Sequence, residues 1–282
     1  MHTLQTTVRF SGIGLHSGEP VQMAIQPSTI QGVRFHVCMN SLHFEDALSF
    51  GATTNAWHPP VPVSKAAIGQ NHLRATTLTN GFVTVQTPEH FLAACYALQL
   101  SHVDVFLSQS ELPILDGSAI GFLNDLGPKL TPVDAYPVPE LAINDAIDFT
   151  CNGSSYHAGP SSDFSISIML TYPNHWVKTM THTYHHSLES FTQDIAPART
   201  YGFTHEIEHL KQLGLAKGGS TDNALVVSED GYLNQSRFDN ELARHKILDF
   251  IGDMAIGGKI IRGHFVLIRP SHKGNCEFLK QL

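Results

Sequence analysis

A segment of clear helical periodicity runs from residue 240 to residue 256 and ends at the pair Gly257-Gly258. Asp239 precedes it as a possible cap. The apolar residues of the segment recur on one face, which has to be buried against other parts of the protein: Leu242, Leu248, Ile251 and Ala255. The sequence therefore predicts a long, packed helix near the end of the chain.

A second helix is predicted after the strand-like residues 82–86. Thr87 can cap this helix, and Pro88 suits its first position because proline has no backbone N–H that the helix would need. Apolar residues then follow at helical spacing: Phe91, Leu92, Cys95 and Leu98. Glu89 and His90 are therefore expected in the first turn of this helix.

Short segments that alternate polar and apolar residues predict strands in both halves of the chain. They cover residues 4–10, 21–25, 33–37, 103–107, 142–149, 164–172, 182–184 and 264–268. Residues 127–140 are rich in proline and poor in apolar residues, which is typical of a linker. Runs of strands and helices on both sides of it predict an α+β fold with two halves, residues 1–130 and 131–282.

Charge and composition exclude several classes of function. The formal net charge is -8 and no block of lysine and arginine occurs, which argues against a nucleic-acid partner or an anionic membrane surface. No apolar run approaches the ~18 residues of a membrane span, and residues 1–10 do not resemble a secretory signal. The four cysteines have no CxxC spacing, as expected of reduced thiols: Cys38, Cys95, Cys151 and Cys276. These features favour a cytoplasmic protein without a transmembrane segment, and no oligomeric partner is evident.

Three residues have the chemistry of a metal site. His245 and Asp249 are four residues apart on the predicted helix 240–256, so they face the same way and can hold one cation. The alternative is a histidine paired with a carboxylate on a solvated face. His90 offers a third ligand, while Glu89 diverges from it by roughly 100°, which suits a base better than a ligand. The alternative for Glu89 is an ordinary first-turn acid that complements the helix dipole.

His272, Lys246 and the predicted helix at 202–213 can each have a functional role or a purely structural one. His272 follows the last predicted strand in a loop, where it can act as a general acid or be an ordinary surface histidine. Lys246 can stabilise negative charge near His245 or be solvated. The predicted helix at 202–213 carries Ile207, Leu210 and Leu213, whose apolar face can line a groove for an acyl chain or pack in the core.

Several segments, taken in order, resemble the zinc-dependent UDP-3-O-acyl-N-acetylglucosamine deacetylases of bacterial lipid A synthesis. The resemblance spans most of the chain, and the matching segments are SGIGLHSG, TPEHFLAAC, ELPILDGSA, ARTYGF, LAKGGSTDNALVV, RHKILDFIGD and the histidine of RPSH. It implies two similar α+β halves, each a sheet backed by helices, with the metal at their interface. It also implies a small insert in each half, the first between residues 44 and 74. The second, at 198–227, would enclose the acyl chain.

The resemblance assigns roles to individual positions. Zn²⁺ would be held by His90, His245 and Asp249, with Glu89 as general base and His272 as general acid. Lys246 and Thr200 would stabilise the oxyanion. The implied substrate-binding residues are Tyr201, Gly219, Arg269, Tyr172 and Lys273.

Two segments depart from the family's usual pattern. The lysine-serine-glycine-histidine run that usually contains the general acid appears here as Arg269-Pro270-Ser271-His272, and the aspartate-aromatic pair of the second half appears as Thr171-Tyr172. The resemblance nevertheless implies that Tyr172 stacks on the uracil. Arg269, Lys273 and Lys246 would supply the cations that a diphosphate requires.

The implied reaction removes the N-acetyl group of UDP-3-O-(3-hydroxyacyl)-N-acetylglucosamine and releases acetate. Glu89 would take a proton from water activated by zinc, and His272 would protonate the leaving amine. Two alternatives stay open: a divergent paralogue that deacetylates another acetamido sugar, and a non-catalytic protein that binds the sugar nucleotide. The presence of both proton carriers beside a complete ligand set argues against the second.

Overall fold

The computed structural model describes residues 1–49, 51–52, 55–133, 139–173 and 175–282. The strands up to residue 133 are β1 (His2–Leu4), β2 (Val8–Ile13), β3 (Pro20–Pro27), β4 (Gly32–Val37), β5 (Val61–Pro62), β6 (Thr77–Thr79), β7 (Thr84–Gln86), β8 (His102–Leu107) and β9 (Leu130–Pro132). The later strands are β10 (Glu140–Ala142), β11 (Ile147–Cys151), β12 (Ser154–Gly159), β13 (Phe164–Tyr172), β14 (Lys178–His185), β15 (Tyr201–Phe203), β16 (Leu225–Val227) and β17 (Ile260–Ile268). The α-helices are α1 (Phe44–Ser49), α2 (Glu89–Ala97), α3 (Ile120–Leu126), α4 (Leu188–Ser190), α5 (Thr204–Gln212), α6 (Glu241–Ala255) and α7 (His272–Gln281).

Two large sheets share one pairing pattern. The first has the order β2-β3-β8-β4-β5, and the second has the order β11-β12-β17-β13-β14, with β10 beside β17. In each five-strand path the third and fourth strands are parallel, and all other neighbours are antiparallel. Mixed sheets together with packed helices confirm the predicted α+β class.

Helices α2 and α6 lie in one continuous apolar core that includes residues of both large sheets. Phe35 and Val105 enter it from the first sheet, and Ile166 and Phe265 from the second. Among the described residues, no helix is both long enough and apolar enough to cross a bilayer.

The two helices approach each other closely at Gly252 of α6. A Cβ atom at this position would lie 2.0 Å from the backbone oxygen of Glu89, the first residue of α2. Such a distance is far below van der Waals contact, so only glycine fits between the helices. The small residues Ala93 and Ala94, both fully buried, also belong to α2. The sequence thus allows the start of α2 to lie directly against the C-terminal part of α6.

Replacing Gly252 with alanine is expected to destabilise the protein by about 1–3 kcal/mol, because the added methyl group forces the two helices apart. Urea denaturation followed by circular dichroism measures the change in the free energy of unfolding. Gly231→Ala is the matched control, since a Cβ there meets no atom within 4 Å. Equal stability of the Gly252→Ala variant and the unaltered protein would contradict the close approach.

Both helix starts differ in detail from the sequence prediction. Thr87 does not cap α2: its φ is 56°, and its hydroxyl donates to Glu111 Oε1 at 3.1 Å. A tertiary contact therefore replaces the predicted local one. Asn240, not Asp239, precedes α6, and it makes no side-chain cap. Glu89 and His90 do lie in the first turn of α2, as predicted.

The predicted linker is partly structured. Residues Gly127–Lys129 form a 3₁₀ turn, and β9 pairs antiparallel with β1 at the start of the chain. Residues 134–138 of the same segment lie outside the described residues. The alternation at residues 4–10 predicts one strand. The structure has two in its place, β1 ending at Leu4 and β2 beginning at Val8.

Candidate metal centre and active site

The three predicted metal ligands meet where α2 crosses α6. His245 Nε2 lies 3.2 Å from Asp249 Oδ1, and His90 Nε2 lies 3.6 Å from the same oxygen. All three side chains are buried. The ligand atoms lie within 4.8 Å of one another, so a single ion can contact all of them.

This donor set fits a divalent metal ion. Asp249 Oδ1 is buried and has no hydrogen-bond partner, an arrangement that is costly unless a cation is bound. His245 Nδ1 lies 3.1 Å from the backbone oxygen of Ala198, so an N–H there donates to that oxygen and leaves Nε2 as the ligand atom. Two imidazole nitrogens and one carboxylate oxygen are ligands that zinc accepts, and a fourth position stays open for water or substrate.

The protonation states of these residues also suit a metal. Burial lowers the pKa of His245 to about 3, so its imidazole is neutral. Burial alone would raise the pKa of Asp249, but His245, Lys246 and His272 outweigh burial and hold this pKa well below its usual value. Since metals bind neutral imidazole and ionised carboxylate, no proton has to leave either residue first.

Glu89 lies beside the three ligands with a strongly altered acidity. Its side chain is 2% exposed, and its Oε2 accepts the backbone N–H of Thr76 at 3.3 Å. Burial raises the pKa of Glu89 to about 7, aided by the nearby carboxylates of Asp253 and Asp249 and opposed by His272 and His90. A carboxyl group with a pKa near neutrality can both accept and release a proton, as a general base requires.

His272 faces Glu89 across the site. Its Nε2 lies 3.7 Å from Glu89 Oε1 and 3.6 Å from Asp249 Oδ2, while its Nδ1 lies 3.0 Å from Asp253 Oδ2. Burial alone would lower the pKa of His272, but the carboxylates of Asp253, Asp249 and Glu89 raise it to about 9. The imidazole is therefore protonated at neutral pH and presents an N–H to the site.

The surroundings of His272 correct the sequence prediction. The sequence predicts a loop at this position, but His272 is 7% exposed and begins helix α7. Ser271 caps this helix by accepting the backbone N–H of Gly274 at 3.2 Å. The polar residues that indicated a loop are thus the start of a helix, and the imidazole is held in place.

Asp253 is a functional residue that the sequence interpretation missed. It is completely buried, and besides His272 it accepts hydrogen bonds from Asn275 Nδ2 at 2.8 Å and from the hydroxyl of Thr76. These contacts fix the orientation of the carboxylate that orients His272. The sequence does contain a sign of this role: Asp253 lies four residues after Asp249, which lies four residues after His245, so all three share one face of the helix.

Lys246 contacts the metal cluster, and Thr200 lines the cavity that contains it. Lys246 Nζ donates to Asp249 Oδ2 at 2.7 Å and lies 5.5 Å from the ring centre of Tyr201. Burial alone would lower the pKa of Lys246, but the carboxylate of Asp249 outweighs burial, and the pKa is raised above its usual value. The side chain therefore stays a charged ammonium group. The backbone N–H of Thr200 donates to Gly117 O at 2.7 Å, which fixes the position of Thr200 in the cavity wall.

A cavity of about 680 Å³ opens from the metal cluster. Its lining includes polar groups, among them Glu89, the three ligands and His272, together with several apolar side chains. The apolar wall includes Leu15, Leu73, Ile207, Leu210 and Val226. Ile207 and Leu210 of α5 therefore line a groove, as predicted, whereas Leu213 is 51% exposed and does not.

The predicted substrate-binding residues divide into two groups. Tyr201 and Gly219 line the cavity, and Tyr172, Arg269 and Lys273 do not. The hydroxyl of Tyr172 instead contacts the hydroxyl of Tyr201 at 2.8 Å, and Arg269 donates to Gly153 O at 3.1 Å. Lys273 is exposed on α7. Stacking of uracil on Tyr172 stays a prediction.

The chain is similar to known proteins over its whole length. The family model described as UDP-3-O-acyl N-acetylglycosamine deacetylase matches residues 1–282. Three curated relatives carry the name UDP-3-O-acyl-N-acetylglucosamine deacetylase. The protein from Oleidesulfovibrio alaskensis is 34% identical over 99% of this chain and 88% of its own length. The protein from Pseudomonas entomophila is 33% identical over 99% of this chain and 89% of its own length. The protein from Trichormus variabilis is 33% identical over 100% of this chain and 97% of its own length.

The match covers the whole chain and 88–97% of the length of these relatives. The buried His90-His245-Asp249 cluster and the two proton-carrying groups beside it are what a metal-dependent amide hydrolase needs. The chain belongs to the UDP-3-O-acyl N-acetylglycosamine deacetylase family.

Proposed function

We propose that this chain hydrolyses the N-acetyl group of UDP-3-O-(3-hydroxyacyl)-N-acetylglucosamine and releases acetate, as a step of lipid A synthesis. One observation carries the proposal: a single cavity contains a metal-ligand cluster, two buried groups that carry protons, and an apolar wall. An acetamide to be hydrolysed and an acyl chain to be bound would occupy the polar and apolar parts of this cavity. The printed names of the relatives support the same substrate.

We propose zinc as the metal, held by His90, His245 and Asp249. When bound there, zinc supplies Lewis acidity toward the acetamide and lowers the pKa of a water molecule in the site. The buried, unpartnered Oδ1 of Asp249 supports a cation at this position. Iron(II) and cobalt(II) accept the same donor set, so metal analysis is needed to identify the native ion.

Glu89 and His272 divide the proton transfers. Glu89, as carboxylate, takes a proton from the water that attacks the acetamide carbon. The C–N bond of the resulting tetrahedral species then breaks, and His272 gives the proton on Nε2 to the departing amine. Asp253 accepts from Nδ1 of His272, which keeps Nε2 directed toward the site. Once the proton on Glu89 has returned to His272, the reaction balances as one acetate and one protonated amine per amide and water consumed.

Lys246 and Thr200 are proposed to stabilise the oxyanion, and Tyr201 and Gly219 to contact the sugar or its acyl chain. The ammonium of Lys246 is held at the cavity by Asp249, so its charge is in place before the reaction begins. Arg269 and Lys273 are proposed to contact the diphosphate because both are exposed and flank the cavity residues Pro270, Ser271 and His272.

We further propose that the chain consists of two halves, residues 1–130 and 131–282, with the acyl-binding insert near 198–227. The shared pairing pattern of the two large sheets supports this division. A cytoplasmic location is also a proposal, supported by the four cysteines, all of which are free thiols.

An acetate-release assay tests the function. The purified protein is incubated with UDP-3-O-(3-hydroxyacyl)-N-acetylglucosamine and, in parallel, with UDP-N-acetylglucosamine, which lacks the acyl chain. We expect acetate mainly from the acylated substrate. Absence of acetate from both, with zinc bound stoichiometrically, would contradict the proposal, and a preference for the sugar without the acyl chain would indicate a divergent paralogue.

A further inference from the structure

An ion pair in the lining of the cavity joins two distant parts of the chain. Arg74 Nη2 lies 2.8 Å from Glu206 Oε1, and both side chains line the cavity wall. Arg74 precedes β6, in the segment that leads to the metal-ligand helix α2, whereas Glu206 lies on α5 in the proposed acyl-binding insert. The pair therefore connects the insert helix to the part of the protein that holds the metal cluster.

Helix α5 has few other attachments. No residue of α5 is fully buried, although Ile207 and Leu210 line the cavity. The insert is fixed at both ends of the helix: β15 pairs with β16 before it, and after it the N–H groups of Lys217 and Gly218 donate to the backbone oxygens of His16 and Leu15.

Between these two anchors, the side chains of α5 make two ion pairs among the described residues. His205 contacts Glu229 at 3.4 Å, with both side chains more than half exposed. Glu206 contacts Arg74 and is 29% exposed. Only the second pair joins α5 to the segment that leads to the metal-ligand helix α2. The position of Ile207, next to Glu206, therefore depends on this pair more than on any other polar contact of the helix.

We propose that Arg74 and Glu206 are positioning residues that set the preference for acylated substrates by holding α5, with Ile207 and Leu210, against the acyl chain. This inference rests on the proposed function. The pair touches neither the metal ligands nor Glu89 and His272, so its loss weakens binding of the acyl chain and leaves the chemical step largely intact. The effect is expected mainly in KM.

The experiment uses four variants of the full-length protein. Arg74→Gln and Glu206→Gln each remove one charge, and the double variant Arg74→Glu with Glu206→Arg reverses the pair. Glu140→Gln is the control, because it removes an exposed ion pair with Arg262 that lies outside the cavity. Each protein is assayed for KM and kcat with the long-chain substrate and with UDP-N-acetylglucosamine.

Each single substitution is expected to raise KM for the long-chain substrate about two- to fivefold, the range of a partly exposed ion pair, while kcat changes little. The charge-reversed variant is expected to recover most of the loss, and Glu140→Gln to behave as the unaltered protein. An equal rise of KM for both substrates in Arg74→Gln would overturn the proposal, since it would show that Arg74 binds the nucleotide.

Hydrogen exchange of α5 gives a second readout that needs no substrate. The amides of residues 204–212 are expected to exchange faster in both single variants and at the original rate in the charge-reversed variant. Unchanged exchange in the single variants would overturn the proposed role of the pair. Absence of deacetylation by the unaltered protein would contradict the proposed function instead, so the two failures are distinguishable.

Discussion

Replacing Glu89 with glutamine is expected to lower kcat about 10²–10⁴-fold, the usual contribution of a general base. Glutamine has nearly the same shape as glutamate. In the unaltered protein the backbone N–H of Thr76 donates to Oε2 of Glu89, and the side-chain oxygen of glutamine can accept the same hydrogen bond. It cannot, however, accept a proton from the attacking water. Because the carboxyl group lies beside the metal ligands without belonging to the cluster, the variant should keep its metal.

Steady-state kinetics of acetate release measure the loss, and metal analysis and circular dichroism check that the variant is loaded and folded. Glu277→Gln is a suitable control, because Glu277 pairs with Lys280 on the exposed side of α7. A Glu89→Gln variant that retains metal and loses less than about tenfold in kcat would show that another group removes the proton.

Removing the metal is expected to abolish acetate release down to the background rate, and adding zinc back is expected to restore it. The reason is that the remaining groups, even with Glu89 poised near neutrality, cannot polarise an acetamide strongly enough. Asp249→Ala should have the same effect without a chelator, since it removes the oxygen that lies closest to both histidines.

The measurement combines a chelator titration, metal analysis and activity on the same sample. The unaltered protein is expected to hold one zinc per chain, and Asp249→Ala to hold much less. Thermal unfolding of the metal-free protein distinguishes loss of the ion from loss of the fold. Activity that survives complete removal of the metal would refute the proposed chemistry.

The sequence could predict the two central helices because their burial imposes a local periodicity. Spacing alone places His245 and Asp249 on one face of α6, and it places Glu89 and His90 in the first turn of α2. It does not show that the two helices touch. That contact depends on Gly252, whose lack of a side chain matters only once α2 lies against it.

The errors have a common physical cause. Thr87 has the composition of a cap, yet its hydroxyl is bound by Glu111, which lies on a separate segment. His272 lies among loop-forming residues, yet it is buried, and its Nδ1 is bound by Asp253 on α6. In each case a contact distant in sequence outweighs the local preference, and the neighbouring residues give no direct sign of such a contact.

The close packing of α2 on α6 has a consequence for how the protein reaches its folded state. One metal ligand lies before the first strand of the second sheet, and the other two lie on a helix that follows most of that sheet. Such contacts require the closure of a long loop, which costs conformational entropy. A fragment that ends before α6 would contain the base and one histidine but no complete site. Tight metal binding therefore reports that the whole chain has folded.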